Sequence, residues 1–187
     1  MSTDITPDSM MVDHCLSCAR QVESPNADAR PEGEISLVVL HSISLPPGAF
    51  GGDDIEALFT NQLDWDAHPF FQSIRGLRVS AHLLIRRDGG CVQFVPFDRR
   101  AWHAGRSRWQ SRQALNDFSV GIELEGDARP FTHAQYERLA QVLLALEHRY
   151  PHIEARKWVT HEQIAPLRKT DPGPSFDHQY LARLMAG

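Results

Sequence analysis

The run "ISLVVLHSIS", residues 35–44, constrains the fold more than any other segment of the chain. Its aliphatic and β-branched residues are consecutive rather than alternating, the pattern of a strand buried on both faces. A strand of that kind lies inside a sheet covered by other elements, and the sequence offers helices to cover it. In "THAQYERLAQVLLALEHRY", Tyr136, Leu139, Leu143 and Leu146 form one apolar stripe. Thr132 and Gln135 stand at capping-box spacing before it, and Pro151 follows its end. "DDIEALFTNQL" reads as a short helix whose start is favoured by Asp53 and Asp54, and "DHQYLARLMAG" as a closing helix capped by Ser175 or Asp177.

Further strands are bunched between these helices. "LRVSAHLLIRRDGGCVQFVPF" reads as two strands joined at Asp88-Gly89-Gly90. "FSVGIELEG" alternates, with Val120, Ile122 and Leu124 facing one way and Gly121, Glu123 and Glu125 the other. This order argues an α/β or α+β single domain over residues 35–187. Residues 1–34 are polar, rich in Pro, Asp and Glu, and aperiodic, and they read as an extended or loosely docked arm.

Composition excludes several classes of function. A net charge of -5, with basic residues scattered, gives no general pull toward nucleic acid or anionic membrane. No apolar run approaches a membrane span. The N-terminus lacks a basic start, an apolar core and a small-residue cleavage site, so a cytoplasmic location is expected. Cys15, Cys18 and Cys91 are too few and too unevenly placed for a disulfide framework. Cys15 and Cys18 form a C-x-x-C beside His14, but no second ligand pair follows, and the pair reads as incidental.

Of the ten histidines, His133, His148, His152 and His178 stand among charged or exposed helical positions. His41, His68, His82, His103 and His161 remain as candidates. His41 ends the buried run at the mouth of a sheet, where it reads either as a ligand or as a satisfied core histidine. His161 and Asp171 lie ten positions apart in "THEQIAPLRKTDPGP". Two neutral imidazoles and one carboxylate are a known zinc set with a fourth position left open. Lys169 then acquires a reason, because an ammonium can stabilise the oxyanion formed when water attacks a carbonyl. A base is needed as well. Glu123 is suitably placed on the polar side of its strand, with Gly121 and Gly126 leaving open space near it, and Glu125 is its competitor.

"VLHSISLPPGAFGG", "HPFF", "LRVSAHLLIRRDGG", "VQFVPFDRRAWHAG", "NDFSVGIELEG" and "HEQIAPLRKTDPGPSFD" occur in the order found in the zinc-dependent N-acetylmuramoyl-L-alanine amidases. The chain resembles that family over roughly residues 36–180. Within it, "HSISLPPGAFGG" and "RKTDPGPSFD" favour the cytosolic branch that acts on 1,6-anhydro-muropeptides. The resemblance implies a mixed central β-sheet flanked by helices, as in peptidoglycan-recognition proteins, with one Zn2+ in a cleft. It also implies that His41, His161 and Asp171 hold the zinc, that Glu123 is the catalytic acid/base, and that Lys169 stabilises the oxyanion.

The implied reaction is hydrolysis of the amide between the lactyl group of 1,6-anhydro-N-acetylmuramic acid and L-alanine of the stem peptide. Ser42 stands where relatives carry Asn, and Ala114 where some carry Arg, and both departures bear on substrate contacts. Arg78, Trp102 and His103, with Ser42, are expected to line the substrate cleft, and His82 to serve behind the ligands or in the core. A monomer is expected, with an anhydro-muropeptide as its partner. The rivals are a lytic amidase acting on intact wall and a non-catalytic peptidoglycan-recognition module.

Overall fold

A computed structural model describes residues 7–186. Its strands, in chain order, are β1 (Met11–Val12), β2 (Cys15–Leu16), β3 (Ala19–Gln21), β4 (Ala27–Ala29), β5 (Leu37–Ile43), β6 (Leu83–Ile85), β7 (Cys91–Gln93), β8 (Arg99–Ala101), β9 (Arg108–Trp109), β10 (Arg112–Gln113), β11 (Ser119–Glu125) and β12 (Val159–Thr160). The helices are α1 (Asp54–Phe59), α2 (Pro69–Ser73), α3 (His133–Arg149), α4 (His161–Ile164) and α5 (His178–Ala186). No helix among the described residues is long and apolar enough to cross a membrane.

The central sheet runs β12-β5-β11-β6-β7-β3. β12, β5, β11 and β6 are parallel, β7 is antiparallel to β6, and β3 is parallel to β7. The sheet is therefore mixed and flanked by helices, as the resemblance implied. β5 is buried on both faces. Val38 and Leu40 pack with Leu139, Leu143 and Leu146 of α3, while Leu37 and Val39 pack with Phe118, Val159 and Ile164. Val120, Ile122 and Leu124 of β11 join the α3 side. Ser119, Gly121, Glu123 and Glu125 take the other side, which becomes the functional face.

Local signals account for the element ends. The capping box of α3 is present, with Gln135 N donating to Thr132 Oγ1 at 3.2 Å and Thr132 N to Gln135 Oε1 at 3.1 Å. Asp177, not Ser175, caps α5, its Oδ1 accepting from Tyr180 N at 2.8 Å. Asp53 occupies the start of α1, but its side chain makes no capping hydrogen bond. The β6–β7 turn requires a glycine: Gly89 has φ +83°, and a Cβ there would lie 2.9 Å from the Ala134 carbonyl oxygen.

The loosely docked arm expected over residues 1–34 is corrected for residues 7–34, which pack against the domain and contribute one strand to the central sheet. β3 extends the sheet beyond β7, pairing Ala19 with Cys91 and Gln21 with Gln93. Met10 and Leu16 are buried in the α3 cluster. Arg30 is buried, and its guanidinium donates to the carbonyls of Phe97, Asn116, Asp117 and Ser119 at 3.0, 3.1, 3.2 and 2.9 Å. Residues 1–6 of the expected arm lie outside the described residues.

Candidate metal centre and active site

The sheet delivers three side chains to one point. His41 lies near the carboxyl end of β5, and His161 begins α4 directly after β12, which pairs with β5 through Thr160 and Leu40. A second capping box, Thr160 with Gln163, fixes how the chain leaves β12. The segment then loops back, and Glu162 N donates to the Asp171 carbonyl at 3.0 Å, which brings Asp171 beside His161.

The donor atoms converge. His41 Nδ1 lies 2.9 Å from His161 Nδ1, His161 Nδ1 lies 3.0 Å from Asp171 Oδ2, and His41 Nδ1 lies 3.3 Å from the same oxygen. A tetrahedral cation with bonds of about 2.0–2.1 Å holds its ligands about 3.3 Å apart. Both imidazoles and the carboxylate thus stand close to the spacing that a small divalent cation imposes, and the N/N/O donor set suits one. Burial pushes the His41 pKa down to about 4, against the pull of Asp171. Burial acts to raise Asp171, but its close contacts with the His161 and His41 rings outweigh it and hold the carboxyl well below its usual range. A neutral His41 beside an ionised Asp171 is a pairing of protonation states that metal binding requires.

Glu123 pairs with His41 across β11 and β5. It lines a cleft of about 500 Å³ together with His161, Lys169 and Asp171. Its Oε2 is buried and has no hydrogen-bond partner among the described residues. Burial, reinforced by the charge of Asp171 and opposed by Lys169, holds its pKa well above the usual carboxylate range. Glu125 differs in its partners. Its Oε1 accepts from Gly51 N at 2.7 Å and Arg86 Nη1 at 2.9 Å, and its Oε2 accepts from Arg87 N at 3.1 Å. Of the two competing glutamates, Glu123 is the one left unsatisfied in the cleft.

Ser42, Arg78, Trp102 and His103 line the same cleft. Arg78 is exposed, Ser42 and Trp102 are half-buried, and the Trp102 indole nitrogen has no partner among the described residues. The His103 ring is engaged from behind, with Nδ1 2.9 Å from His41 Nε2 and Nε2 3.2 Å from Ser119 Oγ. His82 is buried beneath, accepting from Gly121 N at 2.9 Å, and burial takes its pKa down to about 3. His68 lies apart as the N-cap of α2. His133, His148, His152 and His178 are exposed, and His14 is half-buried. The cluster among the described residues that could hold a metal ion does not include Cys15, Cys18 or His14.

Two readings need correction or addition. The glycines flanking Glu123 do not leave open space: a Cβ on Gly121 would lie 2.4 Å from His103 Cγ, and one on Gly126 would lie 2.4 Å from Phe131 Cε1. Each makes room for a ring. Asn116 and Ser119 carry contacts that sequence reasoning missed, although Ser119 shares the alternating face of Gly121 and Glu123, which was the available signal. Asn116 Oδ1 accepts from the backbone N–H groups of His103 at 3.1 Å and Ala104 at 2.8 Å.

Residues 31–174 match the family described as N-acetylmuramoyl-L-alanine amidase. The chain belongs to that family. It is an amide hydrolase with the amidase fold. It is 61% identical over 164 residues to the 1,6-anhydro-N-acetylmuramyl-L-alanine amidase AmpD of Citrobacter freundii, covering 87% of each chain. A crystal structure of a selenomethionine derivative of AmpD superposes with a TM-score of 0.90 at 57% identity, covering 93% of this chain and 98% of that one. The amidase AmiD of E. coli, in complex with the substrate anhydro-N-acetylmuramic acid-L-Ala-D-γ-Glu-L-Lys, gives a TM-score of 0.60 at 30% identity, covering 87% of this chain and 60% of that one. Members of the family are zinc enzymes, and the His41, His161 and Asp171 cluster has the matching donor set.

Proposed function

We propose that this amidase hydrolyses the bond between the lactyl group of 1,6-anhydro-N-acetylmuramic acid and L-alanine, with one zinc ion held by His41, His161 and Asp171. The observation that carries this reading is the pairing of three convergent donors with an unsatisfied, proton-retaining carboxyl at Glu123 in one cleft. Zinc bound there supplies a Lewis acid for the amide carbonyl and lowers the pKa of water enough to give a nucleophile near neutral pH.

The chain's own residues do the rest. Glu123 takes the proton from the attacking water and passes it to the leaving nitrogen, and burial favours its protonated state for that second task. Lys169 places a positive charge in the cleft where the carbonyl oxygen becomes negative. Ser42, Arg78 and Trp102 offer a hydroxyl, a guanidinium and an indole face to the peptide and sugar. The high identity to AmpD over most of both chains supports the anhydro-muropeptide as substrate and wall-fragment recycling in the cytoplasm as the setting. Retention of all three donors and of Glu123 speaks against a module that only binds.

The test offers purified protein an anhydro-muropeptide and an intact muropeptide. The expected result is release of free peptide from the anhydro substrate, abolished by a chelator and restored by zinc. Tight binding without release would overturn the enzymatic reading, and equal cleavage of both substrates would remove the anhydro preference.

A further inference from the structure

Each histidine of the cluster turns Nδ1 toward the shared point, which demands that its Nε2 carry the ring proton. The structure shows what decides this, and both decisions come from one short segment. For His161, Nε2 lies 3.3 Å from the Ala104 carbonyl oxygen. A carbonyl can only accept, so Nε2 carries a proton and Nδ1 is the nitrogen left for the shared point, where a cation would replace any proton held against Asp171 Oδ2 at 3.0 Å.

For His41 the decision is relayed. Ser119 Oγ lies 2.6 Å from the Leu115 carbonyl oxygen, a separation between two oxygens that requires the serine proton between them. A lone pair of Ser119 Oγ therefore faces His103 Nε2 at 3.2 Å, and His103 must donate there. The His103 ring is buried against the rings of His41 and His82, at centroid distances of 5.1 and 5.7 Å, with no carboxylate touching it to compensate a second proton. Its Nδ1 is then an acceptor. At 2.9 Å it accepts a hydrogen bond from His41 Nε2–H, which leaves Nδ1 of His41 for the shared point.

We propose that the His103–Ala104 segment, clamped by Asn116 and Ser119, sets the tautomer of both histidines and so builds the metal site before the metal arrives. Ser119, His103 and Asn116 are positioning residues, acting through His41 and His161. Gly121 belongs to the same device, because any Cβ there would collide with the His103 ring. Outer partners of this kind typically change metal affinity by about 10- to 100-fold when removed.

This inference rests on the reading of His41, His161 and Asp171 as metal ligands. The experiment measures zinc affinity by competition with a chromophoric chelator, and histidine tautomers by 15N NMR on the metal-free protein. In the wild type, His41 and His161 should both appear protonated at Nε2. Ser119→Ala removes one hydroxyl without changing shape. It should weaken zinc about tenfold and mix the His41 tautomers, while His161 keeps its own. His103→Phe should weaken zinc by about 10- to 100-fold, and His103→Asn, whose carbonyl oxygen replaces Nδ1 as acceptor, should recover much of the loss. A His41 protonated at Nδ1 in the wild type, or unchanged zinc affinity in folded Ser119→Ala, overturns the relay. Wild-type protein that binds no zinc overturns the metal-site reading instead, so the two failures are distinguishable.

Discussion

Glu123 and Glu125 are two positions apart on one face of β11, yet their surroundings give them opposite work. Glu125 accepts from Arg86 and two backbone N–H groups, whereas Glu123 Oε2 accepts from nothing among the described residues. Glu123→Ala should keep its zinc and its fold but lose about 10²- to 10⁴-fold in kcat, the usual worth of general acid–base catalysis. Glu125→Ala should instead destabilise by about 1–3 kcal/mol in urea unfolding, because it leaves the Gly51 and Arg87 N–H groups without their acceptor and Arg86 with Glu56 as its remaining carboxylate. A larger loss of kcat in folded Glu125→Ala would reverse the assignment. The raised pKa of Glu123 adds a pH test. Unfolded, the carboxyl ionises near about 4.3, while in the metal-free fold it keeps its proton to much higher pH. The fold therefore binds the extra proton, and this contribution is full below about pH 4.3 and declines as pH rises toward the folded pKa. Glu123→Gln cannot ionise and lacks that decline. In melts with chelator from about pH 5 to 8, its Tm should gain on the wild type as pH rises, and a constant difference would mean that Glu123 is ionised in the fold.

At the scale of elements, the structure rests on contacts of very different sequence range. α3 is local: its stripe and capping box are written in adjacent residues, and Leu139→Ala should cost about 2–5 kcal/mol through the cavity it leaves beneath β5 and β11. Arg30 is the opposite case. Its guanidinium satisfies carbonyls from residues 97, 116, 117 and 119, so Arg30→Met should destabilise by roughly 2–4 kcal/mol in urea unfolding. Arg30→Lys should rescue little of this, since one ammonium cannot span the same fork. The contrast explains what could be read in the chain. β5, the β6–β7 hairpin, β11 and α3 announce themselves by period and turn residues within a single window. β3 and β12 are two or three residues long and become strands only because a neighbouring edge receives them. The polar segment before residue 35 reads in sequence as an extended or loosely docked arm for that reason. In the candidate site, residue types and segment ends pointed to His41, His161, Asp171 and Glu123. The roles of Ser119 and Asn116 depend on where residues 103–104 pass, and no local pattern carries that.

At the scale of the whole molecule, the candidate metal centre draws together parts that are far apart in the chain. His41 comes from the inner strand β5, His161 from the start of α4 and Asp171 from the returning loop, with the first and last 130 positions apart. A cation that binds only the assembled cluster must stabilise the entire fold, because the unfolded chain cannot hold those donors together. At a free zinc concentration of about 100 Kd the gain is about 2.7 kcal/mol. For a domain of this length that corresponds to a rise in Tm of roughly 5 to 10 °C over the chelated protein. Asp171→Ala removes one donor while leaving the core clusters intact. It should show little of that rise at the same zinc concentration, although its chelated form should melt close to chelated wild type. Differential scanning calorimetry of both proteins, with zinc and with chelator, gives the four melting temperatures required. An equal zinc-induced rise in the two would place the stabilising ion elsewhere and remove Asp171 from the ligand set.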